Sequence, residues 1–331
     1  MEGEQHEIQF LGFFGIFKEA FNITTSHRKI FSQITVSVIL PLSFIFLAQN
    51  EISESLLGKS TPDKNAMDDT QMGFKNYSST SSFFSSEWTT FLLFMIPFFI
   101  VSIILHLLST SAVVYTIACI YTAKEITYRK VMKVVPKVWK RLMITFLWNF
   151  IIALALIMGG LLVTYLCVVT LGPSATVIAV AIIFLLIYLS VVVYFTFVWQ
   201  LLASIISVLE DVYGIQAMLK SKNLIKGKTR VCAAIYLIYS ICFLGADRSF
   251  KASVVGVDSV WGKIFYACLW SMIMSVLILF GLVIQTIIYF ICKSYHHENI
   301  DKSFLADHLE ACQGEYDPLD TKDVHIEHSM V

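Results

Sequence analysis

The chain has 331 residues, of which 57% are hydrophobic and only 15% are charged, and its mean hydropathy is +0.73. Soluble domains carry roughly 25% charged residues, so this composition excludes an ordinary soluble protein. The formal net charge is zero, so only the distribution of charge along the chain can indicate partners. Charges gather in a few segments between long uncharged runs, a pattern that predicts an all-α, polytopic transmembrane helix bundle.

Residues 1–30 are predicted to form a cytoplasmic N-terminus with an interfacial amphipathic helix. The first residues are acidic and show no signal-peptide pattern, so the first span is expected to act as an uncleaved signal anchor. Residues 8–21 are apolar around most of a helical circumference. This run is shorter than the ~20 residues that span a bilayer, and a helix lying in the membrane interface fits it better.

Residues 31–292 are predicted to form a membrane domain of about six spans. The first span, at 31–48, contains Pro41 and is expected to kink there, because neighbouring helices can satisfy the carbonyl that a proline frees. Two runs, at 89–121 and 176–209, are longer than a span needs. The remaining spans are 142–170, 231–245 and 264–292. Of these, 231–245 falls below the ~17 residues usually needed.

Polar segments separate these runs. They are an exoplasmic loop at 50–88, basic cytoplasmic loops at 122–141 and 210–230, a short polar loop at 246–263, and a cytoplasmic tail at 293–331. Most Lys and Arg residues fall in the segments assigned to the cytosol, a bias that predicts both termini on that side. Asn76 begins a glycosylation sequon in the exoplasmic loop.

The two basic loops contain the residues predicted to contact lipid. On a helical wheel, Val131, Val135, Val138 and Leu142 share one face, and the opposite face carries Lys130, Lys133, Lys137, Lys140 and Arg141. Such a helix is expected to lie on the anionic cytoplasmic leaflet. Its apolar face and its place between two spans favour lipid phosphates over nucleic acid. The predicted lipid contacts are Lys130, Lys133, Lys137, Lys140, Arg141, Lys220, Lys222, Lys226 and Lys228.

The predicted spans contain no Asp, Glu, Lys or Arg away from their ends. This counts against proton relays and ion-coupled transport, which need ionisable groups inside the membrane. The polar residues within or beside the spans are His106, Asn149, Gln200 and Gln285. Each is expected to bond to a neighbouring helix rather than to a substrate. No P-loop, zinc-protease, nucleophile-elbow or kinase signature occurs, so no catalytic residue, metal or cofactor is predicted.

The leading functional hypothesis is a non-enzymatic membrane-organising, lipid-binding or scaffold protein of the endomembrane system or plasma membrane. It rests on the basic segments and on the lack of charge inside the spans. The alternative is a channel or transporter for an uncharged or lipid-like solute, with Pro97, His106, Asn149 and Gln200 near its path.

The tail contains one candidate partner motif. LEACQGEYDP resembles the short peptide that docks on the C-terminal domain of poly(A)-binding protein, which has a leucine followed by Glu-Phe-x-Pro. The matching residues are Leu309, Glu315, Tyr316 and Pro318, with Tyr316 in place of the phenylalanine. The resemblance implies that a disordered tail binds this cytosolic protein through a few anchors.

Five stretches resemble a plant family of six-span integral membrane proteins of unknown biochemical function. They are LPLSFIFLA, LLSTSAVVYTIACIY, VVPKVWKRLMITFLW, FVWQLLASIISVLEDVYGIQAMLKSKNLIKGK and IYFICKSYHHENIDKSFLADHLE. LEDVYGIQAMLKSKNLIKGK also resembles the membrane-anchor region of bacterial glycerophosphodiester phosphodiesterases, where a similar run follows a span. Those enzymes carry their chemistry in a separate soluble domain, so the resemblance implies a membrane fold and no catalysis.

Overall fold

The computed structural model describes residues 12–59, 76–122, 126–172, 174–255, 257 and 259–296, which contain helices and no strand. The helices are α1 (Phe13–Ser26), α2 (Arg28–Ile34), α3 (Leu40–Lys59), α4 (Asn76–Tyr121), α5 (Tyr128–Leu171), α6 (Ala175–Gln200), α7 (Ala203–Leu209), α8 (Ile215–Ile225), α9 (Thr229–Val255) and α10 (Val260–Tyr295). Six helical stretches are long and apolar enough to cross a membrane: α2 with α3, α4, α5, α6, α9 and α10. The predicted all-α, polytopic bundle is confirmed.

At the position of the predicted kink, the first span contains a π-helical segment, Thr35–Ile39, which joins α2 to α3. Pro41 follows directly in the first turn of α3. A proline has no N–H to donate, and its ring crowds the preceding turn of an α-helix. The wider π turn accommodates this crowding, so the helical path continues from residue 28 to residue 59.

The basic segment and the third predicted span form one continuous helix, α5, of 44 residues. At 1.5 Å per residue this helix is about 66 Å long. Val131, Val135 and Val138, the apolar face of the basic segment, are all buried in the main hydrophobic core. This face therefore packs on protein and does not lie on lipid.

The main hydrophobic core lies at the end of the bundle that carries the basic segments, hereafter the basic end. α1 overlaps the run at 8–21 that was predicted to form an interfacial helix, and it packs on this core. Its residues Ile16, Ala20 and Ile23 recur at helical spacing and are buried, and α1 lies against α10. Phe14 on the opposite face is 82% exposed, which leaves one aromatic edge of α1 turned outward.

The predicted long run at 176–209 is wrong as a single helix. α6 ends at Gln200, Leu201 and Leu202 form a turn, and α7 follows with six of its seven residues buried, all but Ser204. Side chains from distant helices bind the backbone groups at this break. The side-chain amide of Gln285 donates to the carbonyl of Leu201, and the N–H of Leu202 donates to the hydroxyl of Ser221 at 3.2 Å. The break is thus stabilised by groups that a continuous helix would not need.

The fifth span is longer than predicted, and the predicted loop at 246–263 is largely helical. α9 has 27 residues and runs through Gly245 to Val255. Ala246, Phe250 and Val254 recur every fourth residue and are buried in a second, smaller apolar cluster with residues of α3 and α10. This packing continues the helix beyond the point where the apolar run ends.

The predicted loop at 50–88 is helical at both ends, because α3 extends to Lys59 and α4 begins at Asn76. Asn76, the predicted glycosylation site, is therefore the first residue of a helix. The tail motif residues Leu309, Glu315, Tyr316 and Pro318 lie outside the described residues.

Candidate functional site

A cavity of about 660 Å³ lies among the membrane-spanning helices. Residues of α3, α4, α5, α6, α7, α9 and α10 line it, and most of the lining is apolar. Among the described lining residues there is no Asp, Glu, Lys or Arg. Its volume falls within the ~300–1,000 Å³ that small-molecule sites occupy in proteins.

One face of α5 forms a wall of this cavity. The lining residues Thr145, Asn149 and Ala153 recur every fourth position and so share one side of the helix. They continue the stripe of buried valines from the basic end of the same helix. On the other side, Leu147 and Leu154 are exposed on the outer surface, so α5 separates the cavity from the bilayer.

All four polar residues singled out in the sequence line this cavity: His106, Asn149, Gln200 and Gln285. The expected contact with a neighbouring helix is confirmed for Gln285, which donates to the carbonyl of Leu201 at the α6–α7 break. The convergence of the four residues was not predictable from their spacing, since they come from three long helices and one helix end.

The Oδ1 atom of Asn149 makes no such contact with the described residues. The residue is 8% exposed, and its Oδ1 atom is buried and accepts no hydrogen bond from the described residues. A buried acceptor without a partner destabilises a protein by about 1–3 kcal/mol. The arrangement therefore offers an acceptor to a donor group inside the cavity.

At its basic end the cavity is bounded by α7, and Leu201, Ala203 and Ser204 contribute to the lining. Thr145 of α5 ties this region together: its hydroxyl lies 2.7 Å from that of Ser207 and accepts the N–H of Gly214 at 2.7 Å. Gly214 begins α8 with φ +67°, a conformation that favours glycine. The floor of the cavity is thus fixed to its wall by buried hydrogen bonds.

A partly buried ionic network fixes the far end of α7. The Glu210 carboxylate, 12% exposed, accepts hydrogen bonds from Tyr289 at 2.7 Å and Lys293 at 2.8 Å and pairs with Lys220 at 2.7 Å. Burial raises the pKa of Glu210, but these hydrogen bonds and the charge of Lys293 outweigh that effect, and the net pKa lies below its ordinary value. The network joins the end of α7 to α8 and α10.

These contacts give structural roles to several residues of the run LEDVYGIQAMLKSKNLIKGK, residues 209–228. Glu210 accepts from two helices, Gly214 turns the chain into α8, and Ser221 binds the α6–α7 break. Gly227 has φ +94°, and an added Cβ would lie 2.6 Å from the Tyr295 ring. Each of these positions has a structural role in holding α7 and α8 against the bundle.

The predicted lipid-contacting residues all lie at the basic end, on α5, on α8 and between α8 and α9. Lys130, Lys133 and Lys140 are exposed there. Others make contacts within the protein: Arg141 pairs with Asp211, Lys220 pairs with Glu210, and Lys228 lies over the Tyr295 ring at 5.4 Å. The structure therefore places these nine residues at one end of the bundle but gives them different partners.

The wall of the cavity is open between α6 and α9. Both helices line the cavity, yet α6 packs mainly on α5, α7 and α8, whereas α9 packs mainly on α10. Over the ranges that the structure describes, any contact between α6 and α9 is slight. Val193 of α6 and Tyr236 of α9 both line the cavity and are 58% and 38% exposed. Because these helices span the membrane, the opening faces the bilayer.

The fold and the cavity define an integral, multi-pass membrane protein with a largely apolar intramembrane chamber. The chain belongs to the family described as a domain of unknown function, DUF8558, which matches residues 1–329. No curated protein and no solved structure matches it. The family match covers nearly the whole chain and assigns no biochemical activity.

Proposed function

We propose that this protein binds an uncharged, lipid-like ligand in the cavity and holds it inside the membrane. The observation that carries this proposal is a cavity of about 660 Å³ with a mainly apolar lining and no charged side chain among its described lining residues. A buried charge without a partner is strongly unfavourable. The phosphate of a phospholipid would have no lysine or arginine beside it here, so a neutral amphiphile fits better.

The opening between α6 and α9 supports a ligand that comes from the bilayer. Val193 and Tyr236 connect the cavity lining to the lipid-facing surface. A ligand soluble in the hydrocarbon region would enter between the two helices without crossing water. This route favours a lipid-like ligand over a water-soluble one.

The fixed floor of the cavity favours binding of a ligand over its passage through the protein. α7 lies at the basic end of the cavity with all its residues except Ser204 buried, and Thr145 and Glu210 connect its surroundings to three other helices. A channel would need this region to open. The lipid-binding part of the leading hypothesis therefore takes precedence over transport of a lipid-like solute.

The test compares two alanines of α5. Ala153 lines the cavity, whereas Ala155 is exposed on the outer face. We expect Ala153→Phe to lower photolabelling of the full-length protein by a diazirine-bearing monoacylglycerol in nanodiscs by at least about tenfold, which corresponds to ~1.4 kcal/mol. Ala155→Phe should label like the wild type. Equal labelling of the two variants, with equal melting temperatures, would contradict the proposal.

A second role is supported by the cations of the basic end. We propose that Lys130, Lys133 and Lys140, which are exposed on α5, contact anionic headgroups of the cytoplasmic leaflet together with the other predicted cations. In this orientation both termini face the cytosol, in the endomembrane system or the plasma membrane. Asn76 would then lie on the opposite side, where its sequon can be glycosylated.

Three further proposals rest on sequence resemblance. The first is that the tail motif recruits poly(A)-binding protein, and the second is that the chain belongs with the plant six-span proteins. The third is a likeness of LEDVYGIQAMLKSKNLIKGK to the anchor region of bacterial glycerophosphodiester phosphodiesterases.

A further inference from the structure

We infer that Asn149 selects a ligand with a hydrogen-bond donor, and that the ligand is an uncharged lipid bearing a free hydroxyl group. The inference rests on the proposed function, because it names the chemical class of the ligand in that cavity. It stands on the unpartnered Oδ1 of Asn149, which lines the cavity while the residue is 8% exposed.

An unpartnered buried acceptor discriminates strongly between ligands. A ligand with a donor forms the missing hydrogen bond, whereas one without a donor leaves the acceptor desolvated and unpaired. Sites built to bind a hydroxyl or N–H group reject analogues that lack it far better than apolar pockets reject a change of size. Asn149 therefore favours alcohols over esters, ethers and hydrocarbons of similar shape.

The rest of the lining disfavours ionised donors and favours a hydroxyl group. An amine would be protonated at neutral pH, and no described lining residue is an Asp or Glu that would pair with it. A carboxylic acid would be ionised and would meet no Lys or Arg. A hydroxyl group is uncharged and both donates and accepts, and the hydroxyls of Thr196 and Ser204 lie in the same lining.

The distribution of polar and apolar residues in the lining also predicts the orientation of the bound ligand. On α5, Asn149 lies toward the basic end and the apolar Ala153 and Ile157 lie away from it. On α6, which runs the opposite way, Thr196 likewise lies toward the basic end and Leu189 away from it. An amphiphile would place its hydroxyl group near Asn149, above α7, and its hydrocarbon chain along the apolar half.

The experiment measures competition for a diazirine-bearing hexadecanol in nanodiscs that contain the full-length protein. The competitors are hexadecanol and 1-fluorohexadecane at matched mole fractions, since fluorine resembles a hydroxyl in size but donates no hydrogen bond. We expect hexadecanol to compete at least about tenfold better. In Asn149→Ala this preference should fall to about twofold or less. Dioleoylglycerol and cholesterol as further competitors separate a glycerolipid source of the hydroxyl group from a sterol source.

The outcomes separate this inference from the proposed function. Equal competition by the two compounds in the wild-type protein, while Ala153→Phe still abolishes labelling, would overturn the hydroxyl inference alone. A preference that persists in Asn149→Ala would overturn the role of Asn149. Labelling that Ala153→Phe leaves unchanged would instead overturn the proposed function. The wild-type comparison needs no substitution, so it decides the ligand class even where Asn149→Ala does not fold.

Discussion

Glu210 holds three segments of the basic end together through one carboxylate. Its partners Tyr289 and Lys293 lie on α10 and its partner Lys220 lies on α8. Buried ion pairs add little net stability relative to apolar packing, but the loss of one partner leaves the others desolvated and is strongly destabilising. The effect of a substitution at Glu210 is therefore expected to exceed that of a surface ion pair.

Glu210→Gln should lower the free energy of unfolding by about 3 kcal/mol at pH 7, because it leaves two lysines beside a neutral amide. The pKa of Glu210 is lowered in the folded protein, so its stabilising effect is complete above the ordinary carboxyl pKa and disappears as the pH falls through the lowered value. Thermal unfolding in detergent at several pH values should show a gap at pH 7 that closes in acid.

Asp211→Asn is the matched control for Glu210→Gln. Asp211 pairs with Arg141, but its side chain is 65% exposed, and exposed ion pairs contribute only ~0–1 kcal/mol. Its melting temperature should stay close to that of the wild type. A Glu210→Gln protein that unfolds like Asp211→Asn at pH 7 would refute the assigned role of the network.

The sequence contains a usable signal for the orientation of Asn149, but none for its missing partner. The stripe Val131, Val135, Val138 and Leu142, extended at helical spacing along α5, reaches Asn149. An inward position was therefore predictable. Whether a buried amide finds a partner depends on which side chains other helices bring to it, and that depends on packing between segments far apart in the sequence.

At the scale of helices, one glycine allows α5 and α6 to pack closely. Small residues such as the adjacent Gly159 and Gly160 permit close packing of membrane helices. The structure assigns it to Gly160 alone, where an added Cβ would clash with the Tyr188 ring, whereas nothing lies within 4 Å of a Cβ at Gly159. The Tyr188 hydroxyl donates to the carbonyl of Leu156 at 3.0 Å, which holds the ring in place.

Gly160→Ala should therefore destabilise the protein by about 1–3 kcal/mol, the usual effect of overpacking. Gly159→Ala should be neutral or slightly stabilising, because alanine favours a helix more than glycine does. The two melting temperatures, measured in the same detergent, test this difference. If both variants unfold at the same temperature, the α5–α6 contact does not depend on Gly160.

The helix boundaries could not all be predicted from local sequence patterns. The break at Leu201 lies in an uncharged run, and its stabilising partners Gln285 and Ser221 are distant in sequence. Conversely, α9 continues past Gly245 into a polar segment because Phe250 and Val254 pack on α3 and α10. In both places tertiary contacts override the local pattern.

At the scale of the whole molecule, the six spans and the concentration of cations at one end follow from the sequence. Both depend on the local composition of the chain, and a hydropathy profile measures this directly. The cavity does not follow from it, because its wall combines residues of seven helices whose lateral arrangement no periodicity specifies. Polar residues that look like isolated interhelical contacts along the chain therefore become one site only in the folded bundle.

Replacing Lys130, Lys133 and Lys140 together by Gln should weaken binding of dioctanoyl phosphatidylserine to the detergent-solubilised protein by at least about tenfold, since each cation near an anionic surface contributes ~1 kcal/mol. Thermophoresis at two salt concentrations would measure this change, and the wild-type affinity should fall as salt rises.

Arg248→Gln with Lys263→Gln provides the control for that triple variant. Both residues are exposed and lie at the end of the bundle opposite to the basic end. This double variant should bind the lipid like the wild type. Equal weakening in both variants would indicate a general charge effect and would contradict a lipid surface on α5.

The buried valines of α5 have a thermodynamic consequence for membrane association. Many amphipathic segments are unstructured in water and fold when they reach a bilayer, so ordering of the backbone opposes their binding. In α5 the apolar face is already packed, with Val131 and Val138 no more than 3% exposed, and the lysines project from a helix formed beforehand. Binding of anionic lipids should therefore occur without a gain in helix content. The affinity should depend mainly on ionic strength, because no folding transition with its entropy change accompanies binding.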